Sequence, residues 1–181
     1  LKDVETGAFS LRRSSTGMPV PVARVVNDVY DALASANGRP IGISTGFPDL
    51  DALLGGFRPG SLNIVGARTG MGKSSLLLHF GLAALGAGVP VLVFSLEMGA
   101  DEIVQRLLTM ETGIPTMRIQ CARISSPDDW SLITEAAGQI AELRMWIDDH
   151  PTLRMSEVQS RARKLAAEQG VGLVLFDYVQ L

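Results

Sequence analysis

The chain has 181 residues, of which 46% are hydrophobic, and this is enough for one folded domain with a sizeable core. Its formal net charge of -3 excludes a globally basic nucleic-acid binder, so any contact with nucleic acid would have to be local. The single cysteine, Cys121, excludes an internal disulfide and suits a reducing compartment.

The N-terminal region divides into a polar arm and an amphipathic helix. Residues 1–21 are polar and rich in turn formers, which predicts a flexible arm or linker. Residues 22–37 carry apolar side chains at helical spacing, which predicts a helix ending near Asn37 and Gly38. Its apolar stripe could pack on its own domain or on a neighbouring subunit, and the residues themselves favour neither.

A short helix and a buried strand are predicted next. Pro48 suits the first turn of this helix, and Gly55 with Gly56 suits its end. Residues 61–66 form a short apolar run, which predicts a buried strand. A glycine-rich loop and a helix at residues 74–85 follow this strand.

The glycine-rich loop is the octet Ala67-Arg68-Thr69-Gly70-Met71-Gly72-Lys73-Ser74, followed by Ser75. Small residues let its backbone curl so that N–H groups point at phosphate oxygens, and the following helix favours the same anion. Lys73 can reach the β- and γ-phosphates, and the Ser74 hydroxyl can ligate Mg²⁺. The octet therefore predicts a P-loop that binds ATP and Mg²⁺, although the strict pattern has glycine in place of Ala67.

Residues 74–96 contain no Asp, Glu, Lys or Arg and are numerous enough to resemble a membrane-spanning helix. Gly86, Gly88 and Pro90 interrupt them, so we predict a helix, then a buried parallel strand at 91–94, and no membrane association. Glu97 follows this strand, where it could orient a water for attack on the γ-phosphate. The alternative is a surface or capping glutamate.

Helices and strands alternate through the rest of the chain. Helices are predicted at 100–112, from Ser126 onwards and at 155–169, with strands at 145–147 and 173–177. On the helix that opens at Ser126, five residues are expected to face the core: Trp130, Ile133, Ala137, Ile140 and Ala141. Asp148 and Asp149 follow a strand, and helix or loop capping is the favoured role for both.

This alternation predicts an α/β fold with a mostly parallel sheet covered by helices on both faces. In such sheets, ligands lie beyond the carboxyl ends of the strands. The last strand consists of four apolar residues and then Asp177, a Walker B pattern that would hold a carboxylate near the Mg²⁺ bound by Ser74. The alternative for Asp177 is a capping residue at a strand end.

Longer motifs run from the short helix to the C-terminus. They are Thr45-Gly46-Phe47-Pro48-Asp49-Leu50-Asp51, Phe94-Ser95-Leu96-Glu97-Met98, Ile147-Asp148-Asp149 and Asp177-Tyr178-Val179-Gln180-Leu181. Together with the P-loop, these motifs resemble the helicase domain of DnaB-family replicative DNA helicases over residues 41–181.

The resemblance implies a RecA-like P-loop ATPase that forms a homo-hexameric ring around single-stranded DNA and couples ATP hydrolysis to duplex unwinding in DNA replication. By position, Lys73 and Ser74 would be the Walker A residues, Glu97 the catalytic glutamate and Asp177 the Walker B aspartate. Residues 22–37 would be the linker helix that docks on the adjacent subunit. A primase and a helicase loader would be partners, and the protein would be cytoplasmic and associated with the nucleoid.

The chain stops after the Walker B strand, so residues 38–181 would be an incomplete, N-terminal part of the ATPase domain. The DNA-binding loops and the arginine finger of the family would be missing. Because loss of an arginine finger typically costs about 10³–10⁵ in rate, the fragment alone is expected to hydrolyse ATP poorly. The alternatives are a RecA- or KaiC-like ATPase without helicase activity, a small-molecule kinase with the same P-loop, and a nucleotide-binding module with little turnover.

Overall fold

The structure is a computed structural model that describes residues 20–36, 42–68 and 70–177. Most of the predicted arm (residues 1–19), Thr69 of the P-loop and residues 178–181 lie outside these ranges. The chain divides into two compact units, with the boundary between Gly66 and Ala67. Within the described ranges, every helix is too short or too polar to cross a membrane.

The first unit contains the helices α1 (Val22–Ala36) and α2 (Pro48–Leu54). Ile43, before α2, forms an antiparallel bridge with Phe57, after it. The predicted helix at the start of this unit is therefore observed. Its apolar side chains are exposed, with Val22 at 76% and Tyr30 at 71%. An apolar stripe of this kind is unusual on a surface that faces only water.

Asp51 ties α2 to the segment before it. Pro48 occupies the first turn of this helix, and Gly55 ends it in the left-handed region at φ 72°. The Asp51 carboxylate accepts hydrogen bonds from the Ser44 hydroxyl at 2.5 Å and from the Thr45 N–H at 2.8 Å. Burial raises the pKa of Asp51, but these hydrogen bonds outweigh it and hold the pKa below its ordinary value.

The second unit is built on a three-stranded parallel sheet. Its strands are β1 (Val91–Ser95), β2 (Met145–Asp148) and β3 (Leu173–Asp177), in the order β2-β1-β3. The register pairs Phe94 with Asp148 on one side and Ser95 with Asp177 on the other. The carboxyl ends of the three strands therefore meet at one end of the sheet, which is where ligands of parallel α/β sheets bind.

The helices of this unit are α3 (Lys73–Gly86), α4 (Ala100–Thr112), α5 (Thr116–Gln120), α6 (Pro127–Ala141) and α7 (Met155–Gln169). Two of them, α4 and α7, have the predicted bounds. Both end at a glycine in the left-handed region, Gly113 at φ 71° and Gly170 at φ 72°. Because glycine adopts this conformation without steric cost, it terminates a helix through a local effect that sequence alone reveals.

One face of the sheet packs against α7. Successive strand residues point to opposite faces, so Leu92 and Phe94 of β1 lie on the same face. Both are buried with Val158 of α7, and the rings of Phe94 and Phe176 lie 5.9 Å apart. Full burial of a side chain of this size contributes about 1.5–3 kcal/mol.

The other face of the sheet packs against α3. A Cβ added at Gly81 of this helix would lie 3.0 Å from the Leu175 side chain and 3.7 Å from that of Val91. The absence of a side chain at Gly81 therefore lets α3 approach the sheet closely. With α3 on one face and α7 on the other, helices cover both faces of the sheet, as the sequence predicts.

The strand predicted at residues 61–66 is wrong. The structure assigns no strand between residues 61 and 68, and Leu62 and Ile64 are 85% and 84% exposed. A strand needs a neighbouring strand for its backbone hydrogen bonds, and an apolar run does not reveal whether that neighbour is present. The P-loop of this structure therefore follows an irregular segment.

The helix α6 begins where predicted, and part of its predicted core face is observed, since Ile133 and Ile140 are half-buried. Its N-cap is Ser126, whose hydroxyl accepts a hydrogen bond from the Asp128 N–H at 3.2 Å. Trp130 is 56% exposed and Ala137 is also exposed, whereas Ala136 is buried. The expectation is wrong for Trp130, Ala137 and Ala141, because the buried face includes Ala136 rather than its neighbour Ala137, and periodicity does not fix a core face to within one position.

Candidate active site

Two glycines in the left-handed region shape the P-loop. Gly70 has φ 80° and Gly72 has φ 84°, a conformation that side-chain-bearing residues rarely adopt. Among the described residues, no atom lies within 4 Å of the place that a Cβ would take at either position. The backbone conformation, rather than crowding, therefore requires glycine here.

The helix α3 begins directly at this loop. Gly72 is its N-cap, and the Leu76 N–H donates to the Gly72 carbonyl at 2.9 Å. The N–H groups of Ser74 and Ser75 belong to the first turn, where an α-helix offers no internal acceptor. These groups and the helix dipole favour an anion at this end of α3.

The predicted P-loop residues differ in their access to solvent. Exposed residues are Ala67, Arg68, Gly70, Met71 and Gly72, and half-buried residues are Lys73, Ser74 and Ser75. Thr69 lies outside the described residues. The loop is thus open to a ligand on one side, while the start of α3 is partly enclosed by the fold.

Ser74 and Asp177 lie together at the carboxyl end of the sheet. Both line one small pocket, whose other lining residues are Leu77, Leu78, Val93, Ser95, Met98, Ile103 and Leu175. Asp177 is only 6% exposed, and its Oδ1 is buried without a hydrogen-bond partner among the described residues. Because an uncompensated carboxylate oxygen is costly to bury, this atom is suited to a cation.

The hydroxyl oxygen of Ser74 and the Oδ1 of Asp177 fit Mg²⁺. This cation prefers oxygen ligands and usually takes only one or two from the protein, with phosphates and waters supplying the rest. In the described part of the chain, no group of three or more His, Cys, Asp or Glu side chains could hold a metal ion. An Mg²⁺ shared with a bound nucleotide is therefore the arrangement that this donor set supports.

Glu97 stands apart from the pocket that Ser74 and Asp177 line. It follows β1 at the carboxyl end of the sheet, and its side chain is exposed. The residue before it is held in place, because the Leu96 N–H donates to the Asp177 carbonyl at 2.8 Å. The structure thus brings Ser74 and Asp177 together and leaves Glu97 on a neighbouring loop.

Arg106 was not predicted as a site residue, yet it contacts the P-loop helix. Its Nη1 donates to the Ser75 hydroxyl at 3.4 Å. On α4 it lies between the buried residues Ile103 and Leu107. A charged residue beside a buried apolar stripe needs a polar partner, so its position in the helical pattern is the signal that could have identified it.

Asp148 and Asp149, for which capping was expected, have different partners. The Asp149 Oδ2 accepts a hydrogen bond from the Ala100 N–H at 2.9 Å and so caps α4. The Asp148 carboxylate accepts from the His150 N–H at 3.4 Å, a loop cap, and it also accepts from Arg161 and lies 2.7 Å from the His150 Nδ1. Burial raises the pKa of Asp148, but the hydrogen bonds from Arg161 and His150 outweigh it and hold the pKa below its ordinary value.

The chain is similar in sequence to known helicases. The family described as DnaB-like helicase C terminal domain matches residues 42–181. Replicative DNA helicase DnaB of Leifsonia xyli subsp. xyli (strain CTCB07) is 36% identical over 166 residues, which are 90% of this chain and 36% of that protein. Replicative DNA helicase DnaC of Bacillus subtilis (strain 168) is 34% identical over 174 residues, which are 94% of this chain and 38% of that protein. The chain thus spans just over a third of these relatives.

Two solved structures share its fold. The ATPase domain of G40P has a TM-score of 0.83 and 26% identity, covering 90% of this chain and 58% of that one. A DnaB-like replicative helicase, solved in a study of its interactions with primase, has a TM-score of 0.76 and 26% identity. The match covers 89% of this chain and 39% of that one.

Proposed function

Because this chain belongs to the DnaB-like helicase C-terminal domain family, we propose that it is the ATP-hydrolysing part of a replicative DNA helicase. Its fold is the RecA-like α/β fold that the sequence predicts, as the likeness to a helicase ATPase domain confirms. In this function, ATP hydrolysis drives a ring along single-stranded DNA and thereby unwinds the duplex during replication.

The strongest support from the structure is the meeting of Ser74 and Asp177 in one pocket. A hydroxyl in the first turn of a helix after a glycine-rich loop, and a carboxylate at a strand end, are the protein oxygens that a magnesium–nucleotide complex uses. The Asp177 Oδ1 without a partner among the described residues adds a reason for a cation there. ATP and Mg²⁺ are therefore the proposed ligands.

Each residue of the site has a distinct proposed task. Residues 67–72 and Ser75 hold the phosphates, largely through backbone N–H groups. Lys73 neutralises charge on the β- and γ-phosphates, and Ser74 and Asp177 hold Mg²⁺. Glu97 orients the attacking water and accepts its proton. Bound Mg²⁺ supplies further stabilisation of negative charge as the phosphoryl group is transferred.

The proposed organisation of the whole protein follows its family. Residues 1–21 form an arm, residues 22–37 a linker helix and residues 38–181 the first part of the ATPase domain. The exposed apolar stripe of α1 supports docking on an adjacent subunit of a homo-hexamer. Single-stranded DNA, a primase and a helicase loader are the proposed partners, with a cytoplasmic, nucleoid-associated location.

The first test is ATP hydrolysis by the full-length protein, with and without single-stranded DNA. We expect strong stimulation by DNA, and we expect Lys73→Ala to abolish both the basal and the stimulated rate because the charge on the phosphates is lost. Lys164→Ala, on the exposed surface of α7, is the matched control and should hydrolyse ATP as the unmodified protein does.

Two outcomes would count against the helicase function. Hydrolysis that depends on Lys73 but is indifferent to DNA would favour a RecA- or KaiC-like ATPase without helicase activity. Nucleotide binding that depends on Lys73 without turnover would favour a nucleotide-binding module. A forked-duplex unwinding assay then measures the proposed activity directly.

A further inference from the structure

The loop that carries Glu97 is held on both sides by hydrogen bonds to the sheet. The Leu96 N–H, just before Glu97, donates to the Asp177 carbonyl at 2.8 Å. Met98, just after it, makes two bonds to the buried Ser95 side chain, which donates to the Met98 carbonyl at 2.8 Å and accepts from the Met98 N–H at 3.2 Å. Hydrogen bonds thus hold Ser95, Leu96 and Met98 in place. The side chain of Glu97, which lies among them in the chain, is exposed.

A further bond closes this loop from the neighbouring strand. The Asp149 Oδ2 accepts from the Ala100 N–H at 2.9 Å, although the two residues are 49 positions apart in the chain. Asp149 immediately follows β2, and the register places the end of β2 beside the end of β1. Gly99, the N-cap of α4, has no side chain with which to cap the helix itself. Asp149 supplies that cap from outside the helix.

We propose that Asp149 is a positioning residue for the catalytic glutamate. By joining the end of β2 to the first N–H of α4, it fixes the far end of the loop on which Glu97 sits. An exposed side chain takes its position from its backbone, and a displacement of about 1 Å at a catalytic group can cost about 100-fold in rate. This role rests on the function proposed above for Glu97.

Helix stability alone does not account for the bond. The first turn of α4 already contains Asp101 and Glu102, whose negative charges complement the helix dipole. A third carboxylate adds little to that electrostatic effect. What Asp149 adds is a direct link from the end of β2 to the start of α4, the helix that follows the Glu97 loop.

The test compares kcat and KM for ATP in the full-length protein with single-stranded DNA present. Asp149→Ala should lower kcat about 10- to 100-fold with KM within about twofold, because the P-loop is untouched. Asp149→Asn keeps a carbonyl oxygen that can accept the bond, and it should retain kcat within about threefold. Asp101→Asn removes one charge from the same helix end without touching the bond, and it is the matched control.

The same bond can be removed from its other side. Ala100→Pro deletes the N–H at the first helical position, where proline is well tolerated. It should lower kcat as Asp149→Ala does, and the double variant should be no slower than either single one. The thermal midpoint of each variant shows whether it folds. If Asp149→Ala does not fold, Ala100→Pro still tests the proposal.

The decisive readout is dependence on Glu97. In a Glu97→Gln background, Asp149→Ala should have no further effect on the residual rate, because the group that it positions is gone. A folded Asp149→Ala protein with unchanged kcat, or with the same loss in both backgrounds, would overturn the positioning role and leave the proposed function standing. If Glu97→Gln hydrolyses ATP at the unmodified rate, the proposed role of Glu97 fails, and the role of Asp149 fails with it.

Discussion

Asp177 is a carboxylate that the fold buries while leaving one oxygen without a donor among the described residues. Natural proteins seldom keep such an atom without a reason, because an uncompensated buried charge destabilises the folded state. Asp148, at the end of β2, is the contrasting case, since Arg161 and His150 both contact its carboxylate. The two strand ends thus carry carboxylates in different chemical situations, one with protein partners and one suited to a bound cation.

This contrast predicts different responses to the same substitution. Asp177→Asn should weaken Mg²⁺ binding at least about tenfold, measured by titrating Mg²⁺ into the protein with a fluorescent ATP analogue. Asp148→Asn should lower the thermal midpoint instead, because Arg161 loses its ionic partner, and should leave the Mg²⁺ titration unchanged. Equal Mg²⁺ affinity in Asp177→Asn and the unmodified protein would show that Asp177 is not a ligand.

At the scale of the element, α2 is held by polar contacts more than by burial. This helix has only seven residues and no buried residue of its own, so helix propensity and burial contribute little to it. Asp51 compensates by binding the Ser44 hydroxyl and the Thr45 N–H, and Thr45 is fully buried. The ionised Asp51 carboxylate therefore helps to fix the position of α2, together with the Thr45 hydroxyl, which accepts from the Phe47 N–H at 3.2 Å.

The lowered pKa of Asp51 fixes the sign of a pH dependence. Its folded-state pKa is below its ordinary value of 3.8, so the stabilisation is fully present above that value and is lost as pH falls through the folded-state pKa. Hydrogen-exchange protection of the Thr45 N–H, corrected for the intrinsic rate, should therefore fall at acid pH. Asp51→Asn should remove this pH dependence, and Asp49→Asn on the same helix should preserve it. Protection that is equally pH-dependent in Asp51→Asn would contradict this assignment.

At the scale of the whole molecule, the most informative surface is the apolar stripe of α1. The stripe consists of Val22, Val25, Val26, Val29, Tyr30 and Leu33, which are between 44% and 76% exposed. Exposing a stripe of this size to water is unfavourable, and burial against another subunit would remove the cost. The proposed ring assembly gives it a partner.

Charges placed on this stripe should therefore disrupt assembly. The double variant Val25→Asp and Val29→Asp should shift the full-length protein from rings to smaller species in sedimentation velocity, because a buried unpaired carboxylate is strongly unfavourable at an interface. Asn27→Asp adds a charge to the same helix outside the stripe, and it should leave the rings intact. Rings that persist in the double variant would rule out α1 as the docking element.

The sequence by itself determined the features that depend on local chemistry. The P-loop follows from a run of neighbouring residues, and its two left-handed glycines, Gly70 and Gly72, lie where the motif places them. The bounds of α4 and α7 follow from the glycines that end them. The rule that ligands bind at strand ends also selected Asp177, because a buried strand that ends in a carboxylate can be recognised one segment at a time.

Only the tertiary structure decided which segments become neighbours. An apolar run could not reveal that residues 61–66 form no strand, since a strand depends on a partner elsewhere in the chain. Periodicity could not choose between Ala136 and Ala137 as the buried side of α6. The bond from Asp149 to Ala100 joins residues that no local pattern connects. Contacts of this kind depend on how the sheet orders its strands, and that order is set by the packing of the whole unit.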